Sequence, residues 1–273
     1  MKRLILASSI LFCGTTFADC PSSLPLKGIS TVEDCRANSK NCVEAGAALR
    51  EYMDARADDA PELLTIGLHG SPWHLYDADD RIMEIGDLAQ LVKDQGPQIK
   101  RVELLSSWSG VAPDVHHQSL AAQLSRALGN MPVTGQDGFV WYASDGHTET
   151  THQAFTMRAG AGRYLVKPGE KVMASLVVGW PLELEPEILK RQDGQGMLFE
   201  GAAYDVFLLC PERSLVAYEK GASFSNAVAT YNAAIMHLER NEPGDKAVAL
   251  ALLKQAASAG DTKASEKLRA LAR

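Results

Sequence analysis

His69 and Ser107 are the residues whose types and settings point to covalent chemistry. His69 ends an apolar run, Glu62 to Leu68 (ELLTIGL), and Gly70 follows it at once. Ser107 follows a second apolar run, Arg101 to Leu105, in the turn Ser106-Ser107-Trp108-Ser109-Gly110. An imidazole can act as general base for a serine nucleophile, and backbone N–H groups near Gly70 are candidate oxyanion donors. A serine hydroxyl is far less acidic than a thiol, so it needs a hydrogen-bonded base that a third group orients. Gly70, Trp73, Ser106, Trp108 and Ser109 flank the pair in sequence and are the candidate binding residues. A carbohydrate-binding reading needs an exposed aromatic platform, for which Trp73, Trp108 and Trp141 are the candidates.

Other chemistry-bearing residues are weaker. His147-x-Glu149-x-x-His152 and the pair His116-His117 have metal-ligand types. The metalloprotease pattern needs histidines at i and i+4 on one helix face, whereas these stand at i and i+5 in a polar turn. Solvated loop histidines are expected, with no metal and no cofactor. Asp77, Asp79 and Asp80 form an acidic turn without the Gly and Glu of a calcium loop, and Gly160 and Gly162 fit neither a dinucleotide nor a phosphate loop.

The elements that must position these residues alternate. Val43 to Arg56 reads as an alanine-rich surface helix. Glu62 to Leu68 and Arg101 to Leu105 read as buried strands, and Val133 to Ala143 as a third. Between them lie helical patterns at Asp87 to Asp94, stopped by Gly96-Pro97, and at Gln118 to Leu128, stopped by Gly129. Such alternation predicts an α/β fold with a mainly parallel sheet flanked by helices, whose strand ends carry the site. From Arg158 to Glu219 the pattern reads as a β-rich insertion, with strands at Val172 to Trp180, Leu198 to Phe199 and Tyr204 to Leu209 and a short helix at Glu183 to Arg191. The tail reads as helices over 223–240, 245–259 and 262–272. The expected division is 1–18 signal peptide, 19–60 disulfide-held arm and helix, 61–222 α/β domain with a β-rich second half, and 223–273 helical tail.

The strand-His69-Gly70, helix, strand-Leu104-Leu105-Ser106-Ser107-Trp108-Ser109-Gly110 order resembles the caspase-like peptidases with a His/Cys dyad, closest to the self-processing domains of large bacterial toxins. The resemblance covers about residues 62–145. It implies that His69 matches the dyad histidine and that Ser107 stands where the family has its nucleophilic cysteine. It therefore implies a scaffold that has lost catalysis, with a Ser107/His69 hydrolase as the alternative. Leu68-His69-Gly70-Ser71-Pro72-Trp73 also resembles the oxyanion turn of α/β-hydrolases, but no Gly-x-Ser-x-Gly turn follows. In the tail, Tyr231-Asn232-x-Ala234, Asp245-Lys246-Ala247 and Leu253-x-x-Ala256-Ala257-x-x-Gly260-Asp261-x-x-Ala264 are similar to tetratricopeptide-like repeats of the Sel type. One repeat and a following helix are visible, so a protein-binding tail and a helical cap on the body are both open.

The compartment comes from the first residues. Lys2-Arg3, an apolar stretch from Leu4 to Phe12, and Thr16-Phe17-Ala18 form a signal peptide cleaved near Ala18. The apolar run is far shorter than the roughly 20 residues of a membrane span. Cleavage removes Cys13 and leaves Cys20, Cys35, Cys42 and Cys210, which in an oxidising compartment make two disulfides with three possible connectivities. Cys35 with Cys42, and Cys20 with Cys210, is the expected pairing. Of 273 residues 46% are hydrophobic, which excludes wholesale disorder. The net charge of −7, more negative once Lys2 and Arg3 are removed, comes with no Lys/Arg cluster and argues against a nucleic-acid partner. The expectation is a periplasmic or secreted protein-binding module, toxin-neutralising (immunity-type) or an envelope adaptor, with a protein partner and no membrane span.

Overall fold

The computed structural model describes residues 20, 29–32, 42–56, 60–157, 165–173 and 181–273. The expected signal peptide, Cys35 and most of the arm lie outside the described residues. The chain forms β1 (Ile29–Val32), β2 (Val43–Glu44), α1 (Ala45–Asp54), β3 (Leu63–Ile66), β4 (His69–Gly70), β5 (Leu75–Tyr76), α2 (Ile85–Asp94) and β6 (Arg101–Leu104). Next come α3 (Leu120–Ala127), β7 (Val133–Thr134), β8 (Phe139–Tyr142), β9 (Thr148–Thr151), β10 (Ala154–Met157), β11 (Leu165–Val166) and β12 (Val172–Met173). Helices then take over: α4 (Pro181–Arg191), α5 (Gly194–Val206), α6 (Pro211–Ser223), α7 (Ala227–Arg240), α8 (Asp245–Ser258) and α9 (Thr262–Leu271).

The expected parallel sheet is present, in the order β3-β6-β7, with Leu63 opposite Arg101 and Val102 opposite Val133. Strand alternation explains its two faces. Val102 and Leu104 of β6 are buried against Leu88, Ala89 and Val92 of α2 and Leu120, Ala121 and Leu124 of α3. Glu103, between them, takes an ion pair from Arg56 Nη2 at 2.9 Å. A second cluster joins Ala45, Ala48 and Tyr52 of α1 to Leu105, Val140 and Tyr142. The helix boundaries have local causes: the Ser119 hydroxyl accepts the Ala122 N–H at the start of α3, and Asn226 and Asp261 do the same for Ala229 in α7 and Ala264 in α9.

Two expectations are corrected. The single strand expected over Val133 to Ala143 is two strands in different sheets, because β7 closes the parallel sheet while β8 pairs antiparallel with β9 and β12. The break sits at Gly135, where an added Cβ would lie 2.5 Å from the Gly110 nitrogen. The second correction is larger. The β-rich stretch ends at β12 among the described residues, and the strands expected at Leu198 to Phe199 and Tyr204 to Leu209 are helix α5 and the turn after it. Helix α5 is buried nearly all round, including Met197, Leu198, Ala202, Ala203 and Val206. Its apolar run therefore lacks the one-sided period that marks a surface helix and reads like a buried strand.

Helices α5 to α9 pack as successive neighbours joined by short turns, so sequential members run antiparallel. Small residues make the crossings close: an added Cβ at Gly201 would overlap the Tyr218 ring, and one at Gly221 would lie 2.7 Å from Ala229 Cβ. The largest core cluster is shared between body and helices. It unites Tyr76, Ile82, Trp108 and Phe139 with Leu198, Tyr218, Ala233, Leu253 and Ala264. Cys20 is bonded to Cys210, as expected, and Cys210 caps the start of α6. Cys42 is also disulfide-bonded. Among the described residues no helix is long and apolar enough to cross a membrane.

Candidate functional site

The Ser106-to-Gly110 turn is sealed from Ser106 to Ser109, and Gly110 is exposed. Ser106, Ser107 and Ser109 are fully buried, and Trp108, with φ of +61°, is almost so. Each serine hydroxyl accepts a backbone N–H: Ser106 from Leu68 at 3.1 Å, Ser107 from Val140 at 3.1 Å and Ser109 from Gln136 at 3.1 Å. The Trp108 N–H donates to the Gly138 carbonyl at 2.9 Å and the Gly110 N–H to Gln136 at 2.8 Å. The turn thus stitches the end of β6 to the start of β8. Trp108 packs edge-on against Phe139, and its buried indole N–H has no hydrogen-bond partner.

His69-Gly70 does meet this turn. A Cβ on Gly70 would lie 3.1 Å from Ser106 Cβ and 3.3 Å from the Ser107 carbonyl, so only glycine fits this crossing without displacement. The contact is made by Gly70; no hydrogen bond joins the His69 imidazole to Ser107. His69 Nδ1 lies 3.9 Å from Asp80 Oδ1, too far for a hydrogen bond. Burial lowers the His69 pKa, so its ring is neutral at neutral pH. Burial and the neighbouring Asp77 and Asp79 raise the Asp80 carboxyl to about 6.

A polar cluster that sequence reading missed lies on the other side of Gly70. The β4–β5 hairpin carries Ser71, His74 and Tyr76 into the helices, where all three converge on Asp205 of α5. Asp205 Oδ2 accepts from Ser71 Oγ at 2.7 Å and Tyr76 OH at 2.8 Å, and lies 3.0 Å from His74 Nδ1. His74 Nε2 lies 2.8 Å from Glu239 of α7, and Tyr218 OH of α6 donates to Tyr76 OH at 3.2 Å. Burial alone would push the His74 pKa down, but the Asp205 and Glu239 carboxylates outweigh it and raise it to about 10. Burial and the Asp205 charge push Tyr76 well above the usual phenol range.

Ser71, His74 and Asp205 are the residue types of a hydrolytic triad, wired differently. The Ser71 hydroxyl donates to the carboxylate, not to imidazole, and its oxygen accepts the Trp73 and His74 N–H groups. His74 is an imidazolium with both nitrogens committed to carboxylates, so it has no lone pair to act as base. The arrangement is an electrostatic lock. Further along the same segment, Asn232 accepts the Ile82 N–H at 2.9 Å and donates to the Asp80 carbonyl at 2.8 Å. Arg81 pairs with Asp261 at 2.8 Å, Lys263 with Asp87 at 3.0 Å, and Lys267 with Glu84. The segment from Ser71 to Asp87 therefore occupies the side of α5 to α9 that faces the body.

The remaining candidates are placed as follows. Trp73 is half-buried against the main core, and Trp141 is half-buried with its indole N–H on Thr151 Oγ1 at 2.9 Å. With Trp108 1% exposed, these three indoles do not form an open stacking platform. Glu149 pairs with Lys171, and His152 Nε2 lies 2.8 Å from the Asp137 carbonyl. Among the described residues no group of three or more His, Cys, Asp or Glu is arranged to hold a metal ion.

One comparison with known proteins bears on this architecture. The family model described as Domain of unknown function (DUF8616) matches residues 39–150. The match takes in the parallel sheet, the β4–β5 hairpin and the Ser106-to-Gly110 turn, and stops before the helices that supply Asp205, Tyr218 and Glu239. No curated protein and no solved structure matches the chain.

Proposed function

We propose that the protein is an exported protein-binding module on a caspase-like scaffold that does not catalyse, serving as a toxin-neutralising or envelope adaptor protein. The observation that carries this reading is the state of Ser107: fully buried, its oxygen taken by the Val140 N–H, and not hydrogen-bonded to His69. A nucleophile needs access and a base within hydrogen-bond reach, and Ser107 has neither. The caspase-like part of the reading rests on two turns, His69-Gly70 and Ser106 to Gly110, that follow the adjacent parallel strands β3 and β6 and touch through Gly70. Export is supported by the Cys20–Cys210 bond, which suits an oxidising compartment.

The test is labelling of the disulfide-intact protein with a serine-reactive fluorophosphonate, beside Ser107→Ala. No labelling of either is expected. Labelling that Ser107→Ala abolishes overturns the non-catalytic reading in favour of the Ser107/His69 hydrolase. In parallel, photo-cross-linking of the exported protein in cells is expected to give a discrete adduct with another protein; its absence at every exposed position tried counts against a binding role.

A further inference from the structure

We infer that the groove between α2, the β5–α2 segment and α9 docks a segment of a partner protein that carries a lysine or arginine next to an apolar side chain. The inference rests on the binding reading above and names its site.

The groove has a volume of ≈ 300 Å³. That is the low end for ligand-sized clefts and room for a side chain or two of a docked segment. Its apolar lining comes from Ile82, Met83 and Tyr231. One wall is the outward stripe of α2, where Asp87, Gln90, Leu91 and Asp94 recur at helical spacing on the face opposite the buried Leu88, Ala89 and Val92. Leu91 is 50% exposed on this wall, an apolar side chain among polar ones.

The charge around it is unbalanced. Lys263 is engaged by both Asp87 at 3.0 Å and Glu266 at 3.1 Å. Arg81 is engaged by Asp261 at 2.8 Å, with Asp77 at 3.9 Å. Among the described residues Asp94 has no ion pair with a cation; its hydrogen-bond partner is the Gln90 amide at 2.7 Å. Among the groove-lining residues three carboxylates, Asp77, Asp87 and Asp94, thus accompany two cations, Arg81 and Lys263, that are already paired. A cation arriving at Asp94 completes the set, and an anion is repelled. An apolar neighbour on the same segment covers Leu91 and gains its burial. Charge complementarity and the adjoining apolar surface select the same occupant.

The probe is a fluorescent twelve-residue peptide of alternating arginine and leucine, with a glutamate–leucine peptide as counterpart, titrated by anisotropy against the full disulfide-bonded protein. The arginine–leucine peptide is expected to bind and its counterpart not. Asp94→Lys and the uncharged change Leu91→Asn are each expected to weaken binding at least fivefold. Glu51→Lys, the same charge change on the exposed face of α1, is expected to alter it less than twofold. All three positions are exposed, so the variants fold, which their unfolding midpoints check. Absence of binding, equal losses in Asp94→Lys and Glu51→Lys, or indifference to Leu91→Asn overturns the docking site. Those results leave the proposed function standing, because its non-catalytic part fails only on fluorophosphonate labelling of Ser107 and its binding part only on absence of any cellular adduct.

Discussion

The buried imidazolium of His74 makes a prediction with a distinctive pH signature. His74 is 4% exposed and its pKa is raised from 6.5 to about 10, so its charged form is stabilised by the fold. At 1.36 kcal/mol per pKa unit the shift corresponds to roughly 5 kcal/mol. Glu239, one of the two partners, is half-exposed, so about 3–5 kcal/mol is the working figure, the usual cost of breaking a buried pair. The direction follows from proton counting. Between pH 6.5 and about 10 the folded chain holds this proton and the unfolded chain has lost it. The contribution is therefore complete below 6.5, falls by about 1.4 kcal/mol per pH unit above it, and is gone above about 10. His74→Gln should lower the urea unfolding free energy by about 3–5 kcal/mol near pH 6.5. By pH 9 the gap to wild type should narrow by about 3 kcal/mol. The assay is tryptophan-monitored urea unfolding across that range. A gap that stays constant with pH refutes the reasoning, since it would assign the loss to packing and not to charge. Should His74→Gln not fold, Glu239→Gln removes only the half-exposed partner; it should cost about 0.5–1 kcal/mol and lower the imidazole titration seen by NMR.

Three further outcomes are expected. Cys210→Ala opens a loop of sequence separation 190 and should cost about 5 kcal/mol on the chain-entropy model, read as a shifted urea midpoint. Ser107→Ala leaves the buried Val140 N–H without its acceptor and should cost about 1–3 kcal/mol in the same assay, an effect a solvent-facing serine would not show. Glu200 is 3% exposed with neither carboxylate oxygen hydrogen-bonded, and burial first, then Glu185, raises it to about 8 against the pull of Arg213. Its folded form keeps a proton that the unfolded chain loses from about pH 4.5 upward, so it costs stability as pH rises to 8; Glu200→Gln should gain about 4 kcal/mol at pH 8 relative to pH 4.5 in urea unfolding.

What was legible in the sequence follows the reach of each signal. The strand at Leu63–Ile66 and the helices at Ile85–Asp94 and Leu120–Ala127 have local periodicity and local stops, and their parallel arrangement follows from alternation. Helix α5 was illegible because burial on all sides removes the polar face that gives a helix its period. The same error hid the lock. Ser71 and His74 sit in a conspicuous Ser-Pro-Trp-His turn, but Asp205 lies more than a hundred residues away in a stretch that reads as β. A side chain's partner across such a distance is fixed by the packing of helices, for which one sequence carries no periodic signal. The Ser107 reading shows the converse. Its turn is legible as a strand-end feature, while the fate of its hydroxyl depends on Val140 in a different sheet.

The placement of the lock also decides which surfaces are open to a partner. The resemblance of the tail sequence to Sel-type repeats carries the expectation of a protein-binding face, yet the side of α5 to α9 facing the body is filled by the chain's own Ser71-to-Asp87 segment, held through Asp205, Asn232 and Asp261. The proposed docking site therefore lies on the outer edge of that segment, where Arg81, Asp87 and Lys263 line the groove beside α2. That edge is anchored from beneath by the Asn232 and Asp261 contacts and by Tyr231, whose hydroxyl donates to Glu84 at 3.2 Å. Binding to a surface held in this way costs little ordering entropy, so modest contacts at Asp94 and Leu91 can yield measurable affinity. In the proposed docking site the part of the helices is to fix the edge against which the partner segment would lie.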